Sequence, residues 1–251
     1  MNTRTVLFAT QGYAVVPSVV GDSELAFARE LAQALIARFR QGEAAVVSVG
    51  VSIGEAGRRH PQRNPGLDLE QWLHEPFIIG DLLAVEPRFA RLFSQQSIWN
   101  CVAELLGCEP PELLFHFGNL TRKPGETGPA IGWHRDAENT YFASEDGRTV
   151  RLLIPLQHMS AANGGTALVP RSHLESGAAT DDALCPEILP GSCLAIHCAT
   201  LHGGTENRSG QERDVIVMQF GLRSSTLRCQ APERSALSTR EELLVLCRDS
   251  H

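Results

Sequence analysis

The residue pattern predicts a mainly β chain with peripheral helices (α+β), built on a jelly-roll, or double-stranded β-helix, core. From Leu113 to Phe220 the chain is a series of short apolar runs separated by Gly- and Pro-rich turns, the pattern of a barrel or sandwich. Helical spacing of apolar residues falls before Gly107 and again near the C-terminus. The 251 residues, 43% hydrophobic and 20% charged, suit one domain around one core. The expected organisation is a single domain over 1–251, with helical support over 20–107, the jelly-roll core over about 112–222 and a C-terminal helix over 238–248.

Gly12 to Pro17 reads as a strand closed by proline. Asp22 and Ser23 offer caps for a helix from Glu24 to Arg40, where Leu25, Ala28, Leu31, Leu35 and Ile36 trace one stripe. Val46 to Ser52 alternates and is β-branched, so a short strand is expected. Residues 54–66 read as a polar loop, whose Arg58, Arg59 and Arg63 are either exposed or within reach of an acidic substrate. Leu67 to Leu73 begins a helix, and Pro87–Phe93 and Ser97–Leu106 are two more, the last stopped by Gly107. His60 and His74 have no partner at ligand spacing and are expected at the surface.

Leu113 to Leu120 is a strand on which His116, Gly118 and Leu120 share one face and Phe115, Phe117 and Asn119 the other. Arg122 to Glu126 is a turn before Gly132-Trp133-His134-Arg135-Asp136. His134 and Asp136, at i and i+2, share a face of an extended strand and can reach one metal ion. A His-x-Asp pair by itself says little in a chain with nine histidines. Its weight comes from His202, 68 residues on, followed by Gly203-Gly204 and by Arg213 eleven positions later. Two imidazoles and one carboxylate on one side of an ion leave the other side open, as in non-haem Fe(II) oxygenases. A dicarboxylate that chelates such an ion at one end needs a cation at its other end, and the planar fork of Arg213 suits it. A jelly roll lays opposite strands side by side, which would return His202 to His134.

Residues 137–147, with Tyr141 and Phe142, leave the metal strand as a polar segment that is either a lid over the substrate or a solvated hairpin tip. Val150 to Leu156 is a strand with Arg151 and Leu153 on one face. Facing inward, Arg151 would meet a substrate carboxylate; facing outward, it is a surface cation. Asn163-Gly164-Gly165-Thr166 is a turn whose glycines permit positive φ, followed by a short strand over 167–170 and a loop over 181–189. Leu194–His197 and Arg213–Phe220 are strands, and Ser238 with Glu241 forms a capping-box pattern for the last helix.

The run from Gly132 to Gly221 resembles the phytanoyl-CoA dioxygenase family of Fe(II)/2-oxoglutarate-dependent oxygenases. The matching pieces are His134-Arg135-Asp136, Asn163-Gly164-Gly165, Val169-Pro170-Arg171-Ser172-His173, Leu189-Pro190-Gly191, and His202 with Asn207 and Arg213. The chain departs from the family's pattern at Arg171 (usually Gly), at Ser192 (usually acidic) and near Leu153, where an aromatic is common. The resemblance implies that His134, Asp136 and His202 hold Fe(II) and that Arg213 clamps 2-oxoglutarate. Oxygen is then used with decarboxylation to succinate, usually to hydroxylate a substrate. It also implies that the Leu113–Leu120 strand contributes to the cosubstrate pocket, with His116 and Asn119 as candidates and Leu153 nearby, and that His173 anchors its loop. Asp136 argues against halogenation, since related halogenases carry a small residue there. The rivals are a metal enzyme using the same triad without 2-oxoglutarate, and a non-catalytic jelly-roll ligand-binding protein.

A formal charge of -7 and no basic stripe argue against nucleic acid, and no apolar run approaches the ~18 residues that span a bilayer. The partner expected is a small-molecule substrate, with the chain a monomer or homodimer. Export is not expected from the short apolar stretch at Val6–Phe8, and seven cysteines without a Cys-x-x-Cys pair suit a cytoplasmic protein with reduced thiols. Cys193, His197, Cys198 and His202 cluster in sequence, but strand geometry divides them between two faces, against a zinc site.

Overall fold

The computed structural model describes residues 3–63, 68–138, 142–175, 177–228 and 237–249. The strands among them are β1 (Tyr13–Val16), β2 (Gly50–Ser52), β3 (Pro76–Ile79), β4 (Leu113–Lys123), β5 (Ile131–His134), β6 (Ala143–Ser144), β7 (Thr149–Pro155), β8 (Thr166–Leu168), β9 (Cys193–His197), β10 (His202–Gly204), β11 (Arg213–Leu222) and β12 (Leu227–Arg228). The helices are α1 (Thr3–Gln11), α2 (Asp22–Arg40), α3 (Ala44–Ser48), α4 (Ile53–Arg59), α5 (Leu82–Val85), α6 (Ala90–Phe93), α7 (Gln96–Leu106) and α8 (Arg240–Asp249).

A large antiparallel sheet runs β1-β9-β7-β11-β4-β3-β2, opposite a smaller sheet β5-β10-β8, with a third pair β12-β6. Neighbours in space are distant in sequence, and the core is the jelly roll expected, with helices around it. Three strands before residue 112 join the large sheet, so the N-terminal third is not helical support alone.

Period two divides β4, β7 and β11 between two cores. Leu120, Leu152, Ile154, Ile216 and Met218 form one apolar cluster with the stripe of α2 and with Ile98, Trp99 and Val102 of α7. Leu153, Val215 and Val217 pack with Leu168, Met159 and Ile188 in a second cluster. Each fully buried Leu, Ile or Val contributes about 1.5–3 kcal/mol relative to an exposed one.

Several local expectations are corrected. Gly21, not Asp22 or Ser23, caps α2; Asp22 and Glu24 lie in its first turn, where their charge meets the positive end of the helix dipole. Val46–Ser52 is not one strand: the Glu43 carbonyl accepts from Val46 and Val47 and winds α3, leaving only Gly50–Ser52 extended. The expected loop from Gly54 opens as α4, because Ser52 and Glu55 form a capping box. Instead of a helix, Leu69 to Glu75 makes successive i to i+3 turns (Trp72 N–H to Leu69 O, 3.3 Å; Glu75 N–H to Trp72 O, 3.4 Å); Leu67 and residues 64–66 lie outside the described residues. Arg122 and Lys123 extend β4 by pairing with Asp214 and Arg213 rather than turning. The C-terminal capping box is one position later than expected, with Thr239 and Glu242 exchanging bonds, and Leu243 of α8 is buried in the main core. Arg171 takes φ +64°, the left-handed region that favours glycine.

A candidate metal centre and its cavity

β5 and β10 are antiparallel, with His134 directly opposite His202 and their ring centroids 4.3 Å apart. His134 Nδ1 lies 2.9 Å from the Gly132 carbonyl, and His202 Nδ1 lies 2.9 Å from the Thr200 carbonyl. A ring nitrogen this close to a carbonyl oxygen is a donor, so Nδ1 carries a proton and the neutral ring presents its lone pair at Nε2, the side that faces Asp136. Burial pulls the His202 pKa down to about 4, which keeps it neutral.

β5 ends at His134, so the expected shared face of a strand is not what joins His134 and Asp136. Asp136 opens a tight 3-10 turn (Asp136–Glu138), held where Ala137 N–H reaches the Cys198 carbonyl at 2.8 Å. This swings Oδ1 to 3.5 Å from His134 Nε2 and Oδ2 to 3.7 Å from His202 Nε2. Burial opposes the charge on Asp136, but Arg151, His202 and His134 outweigh it and hold its pKa at about 2. Among the described residues neither buried carboxylate oxygen has a hydrogen-bond partner, although Arg151 Nη1 lies 2.8 Å from Oδ1 as an ion pair. Two free imidazole lone pairs and an unsatisfied carboxylate fit a divalent ion with open positions. Among the described residues His134, Asp136 and His202 are the group able to hold a metal.

His134 and His202 border a cavity of about 160 Å³. Its opposite wall is the inner face of β4, β11 and β7. Register sets three rungs there: Phe117–Gln219–Arg151, Asn119–Val217–Leu153 and Thr121–Val215–Pro155. Arg213 continues the same face, is 2% exposed, and its Nε has no hydrogen-bond partner among the described residues. Burial pulls its pKa down to about 10, so it stays charged at neutral pH.

Asn119, Arg151, Leu153, His134, His202 and Arg213 therefore line one cavity. Arg151 faces inward, where it pairs with Asp136 and donates from Nε to Gln219 Oε1 at 3.1 Å. His116 does not line the cavity. A bulge opposite Gln219 and Phe220 reverses the parity of β4, so Phe115 faces the helices. His116 is fully buried, 3.0 Å from Gln219, and burial lowers its pKa to about 4. Tyr141 and Cys229 lie outside the described residues. His173 anchors its loop through a 3.0 Å bond to the Ala9 carbonyl. Cys193 packs in the outer core and does not join His202.

The residue pattern missed Thr121, Thr166, Ile78 and Gln219. Thr121 is two positions from Asn119 on one strand, a signal that was available. Ile78 depends on β3, and Gln219 matters only through Arg151.

The family profile described as phytanoyl-CoA dioxygenase (PhyH) matches residues 8–215. No curated protein matches in sequence. EctD from S. alaskensis, solved with 2-oxoglutarate and 5-hydroxyectoine, superposes with a TM-score of 0.74 at 21% identity, covering 94% of this chain and 86% of that one. AviO1 from Streptomyces viridochromogenes Tue57 gives 0.71 at 19% identity, over 90% and 96%. The α-ketoglutarate-dependent epimerase SnoN from nogalamycin biosynthesis gives 0.66 at 16% identity, over 90% and 84%. At these identities the superpositions carry the fold. With the profile spanning most of the sequence, the chain belongs to the phytanoyl-CoA dioxygenase family of Fe(II)- and 2-oxoglutarate-dependent oxygenases.

Proposed function

We propose that this chain hydroxylates a small metabolite or natural-product intermediate, with His134, Asp136 and His202 as iron ligands and Arg213 as the clamp for 2-oxoglutarate. One observation carries the reading: the buried Asp136 carboxylate, beside His134 and His202, and the buried Arg213 guanidinium are each short of partners among the described residues, and the two imidazoles and Arg213 line one cavity. A dicarboxylate chelating at the triad satisfies the second, and a divalent ion the first. Iron and 2-oxoglutarate, when bound, supply the oxidising power.

The chain's own residues do the rest. Gly132 and Thr200 carbonyls fix the imidazole tautomers. Leu153, Val215 and Val217 wall the cavity with apolar surface and limit water. EctD, AviO1 and SnoN share this fold, and two of them are described with small-molecule products or pathways, which supports a small substrate. A metal enzyme that ignores 2-oxoglutarate, or a ligand-binding protein, leaves Arg213 buried without a task. We further assign Tyr141 to substrate contact and the chain to the cytoplasm as a monomer or homodimer; the expected lid over 137–147 does not hold at Phe142–Ser144, which are buried, with β6 paired to β12. No described helix is long and apolar enough to cross a membrane.

The test is to load the protein with Fe(II) and 2-oxoglutarate under anaerobic conditions, admit oxygen and measure succinate. Release of succinate that is lost in Asp136→Ala supports the assignment. A protein that binds Fe(II) but never consumes 2-oxoglutarate with any metabolite pool sinks it.

A further inference from the structure

Arg151 has no counterpart in the roles assigned so far. Its guanidinium is held at three points: Nη1 on Asp136 Oδ1 (2.8 Å), Nε on Gln219 Oε1 (3.1 Å), and Cζ 5.4 Å from the Phe117 ring centroid. Gln219 is itself fixed, its amide donating to the Phe142 carbonyl (2.6 Å) and to His116 Nδ1 (3.0 Å). The Arg151 Nη2 has no hydrogen-bond partner among the described residues, and the side chain forms part of the cavity wall.

Charge balance sharpens the point. Lining the cavity are two guanidinium groups, Arg151 and Arg213, with the Asp136 carboxylate paired to Arg151. A divalent ion and a dianionic cosubstrate cancel each other, so one positive charge is left over in a poorly solvated space. Asp214, Glu75 and Glu212 cluster around Arg122, and none of them lines the cavity. Lys123, behind Arg213, donates to the Gly164 carbonyl and brings no negative charge. An anion that pairs with the open edge of the Arg151 guanidinium therefore belongs to the third molecule that enters.

We propose that the substrate is a small organic carboxylate with an apolar body, and that Arg151 is the residue that selects it. This rests on the iron and 2-oxoglutarate reading above. The pre-set fork grips a carboxylate with little loss of side-chain freedom. Ile78, Ile131 and Leu153 around it offer the body of the substrate no polar partner.

The experiment uses the full chain loaded with Co(II) and saturating 2-oxoglutarate. Calorimetry then measures the binding of phenylacetate, 3-phenylpropionate and cyclohexanecarboxylate, each against its neutral amide. At least one acid is expected to bind about tenfold or more tightly than its amide. Arg151→Gln brings acid and amide together, and Arg151→Lys keeps the order while weakening the acid. Circular dichroism checks each fold. If Arg151→Gln does not fold, Gln219→Met, which frees the guanidinium from its anchor, is expected to weaken acid binding in the same direction. A native chain that prefers no acid, or variants that bind the acids as the native chain does, overturns the proposal. Loss of Co(II) or 2-oxoglutarate binding by the native chain instead overturns the reading beneath it.

Discussion

Arg213 is a guanidinium almost out of reach of water, with a nitrogen that nothing among the described residues satisfies. Such a group weakens the fold in the absence of its ligand. Arg213→Met is therefore expected to leave thermal stability unchanged or raise it, while reducing 2-oxoglutarate affinity by about 2 kcal/mol or more, roughly 30-fold. Calorimetry beside a melting curve checks both halves; a variant that unfolds more easily yet keeps its affinity contradicts the role. His116 gives a pH prediction. Its folded pKa, about 4, lies below the ordinary 6.5, because burial disfavours the cation. The unfolded chain thus binds the extra proton first as pH falls. Stability from this group is complete above about pH 6.5 and is lost toward pH 4, on the order of 2 kcal/mol by pH 5. Urea unfolding of the metal-free chain is expected to show that loss, to which the similarly depressed His197 and His202 add, and His116→Phe to remove its own share. At this scale the triad was legible because its chemistry needs particular residue types. The direction of Arg151 was not, because it depends on which face of β7 turns inward.

β10 is a three-residue strand whose Gly203 meets β5 closely: a Cβ there would lie 2.9 Å from the Ile131 carbonyl and 3.3 Å from the Trp133 nitrogen. Gly203→Ala is expected to push β10 away from β5 and widen the His134–His202 gap. Co(II) affinity should fall about 10–100-fold, with unfolding changed far less than binding. Unaltered Co(II) titration would show that the strands tolerate the methyl group without moving the ligands. The element scale is also where sequence patterns misled most. α3 and β2 divide a β-branched run that reads as one strand, and the bulge at His116 turns its side chain to the face opposite the one parity assigns. Helix caps were written in the chain as Ser52 with Glu55 and Thr239 with Glu242, yet their competition with neighbouring signals hid them.

Across the whole molecule the triad joins elements far apart in the chain, and the cavity lies between the two sheets. Ligands that bind only this arrangement stabilise the fold by mass action. At about one hundred times the dissociation constant, Co(II) with 2-oxoglutarate should contribute about 2.7 kcal/mol, or roughly 5–10 °C in Tm. Differential scanning calorimetry with and without both ligands checks this, and Asp136→Ala should abolish the shift. The alternation of short strands and turns, together with the spacing of His134, Asp136, His202 and Arg213, was enough to give the jelly roll, the metal chemistry and the family, since periodicity and ligand type are local properties of the chain. The turn that aims Asp136, the bulge that turns His116 toward Gln219, and the ion pair of Arg151 with a metal ligand all arise from contacts between distant segments. Those contacts depend on register and on backbone hydrogen bonds formed only when the sheets close, so no local pattern carries them.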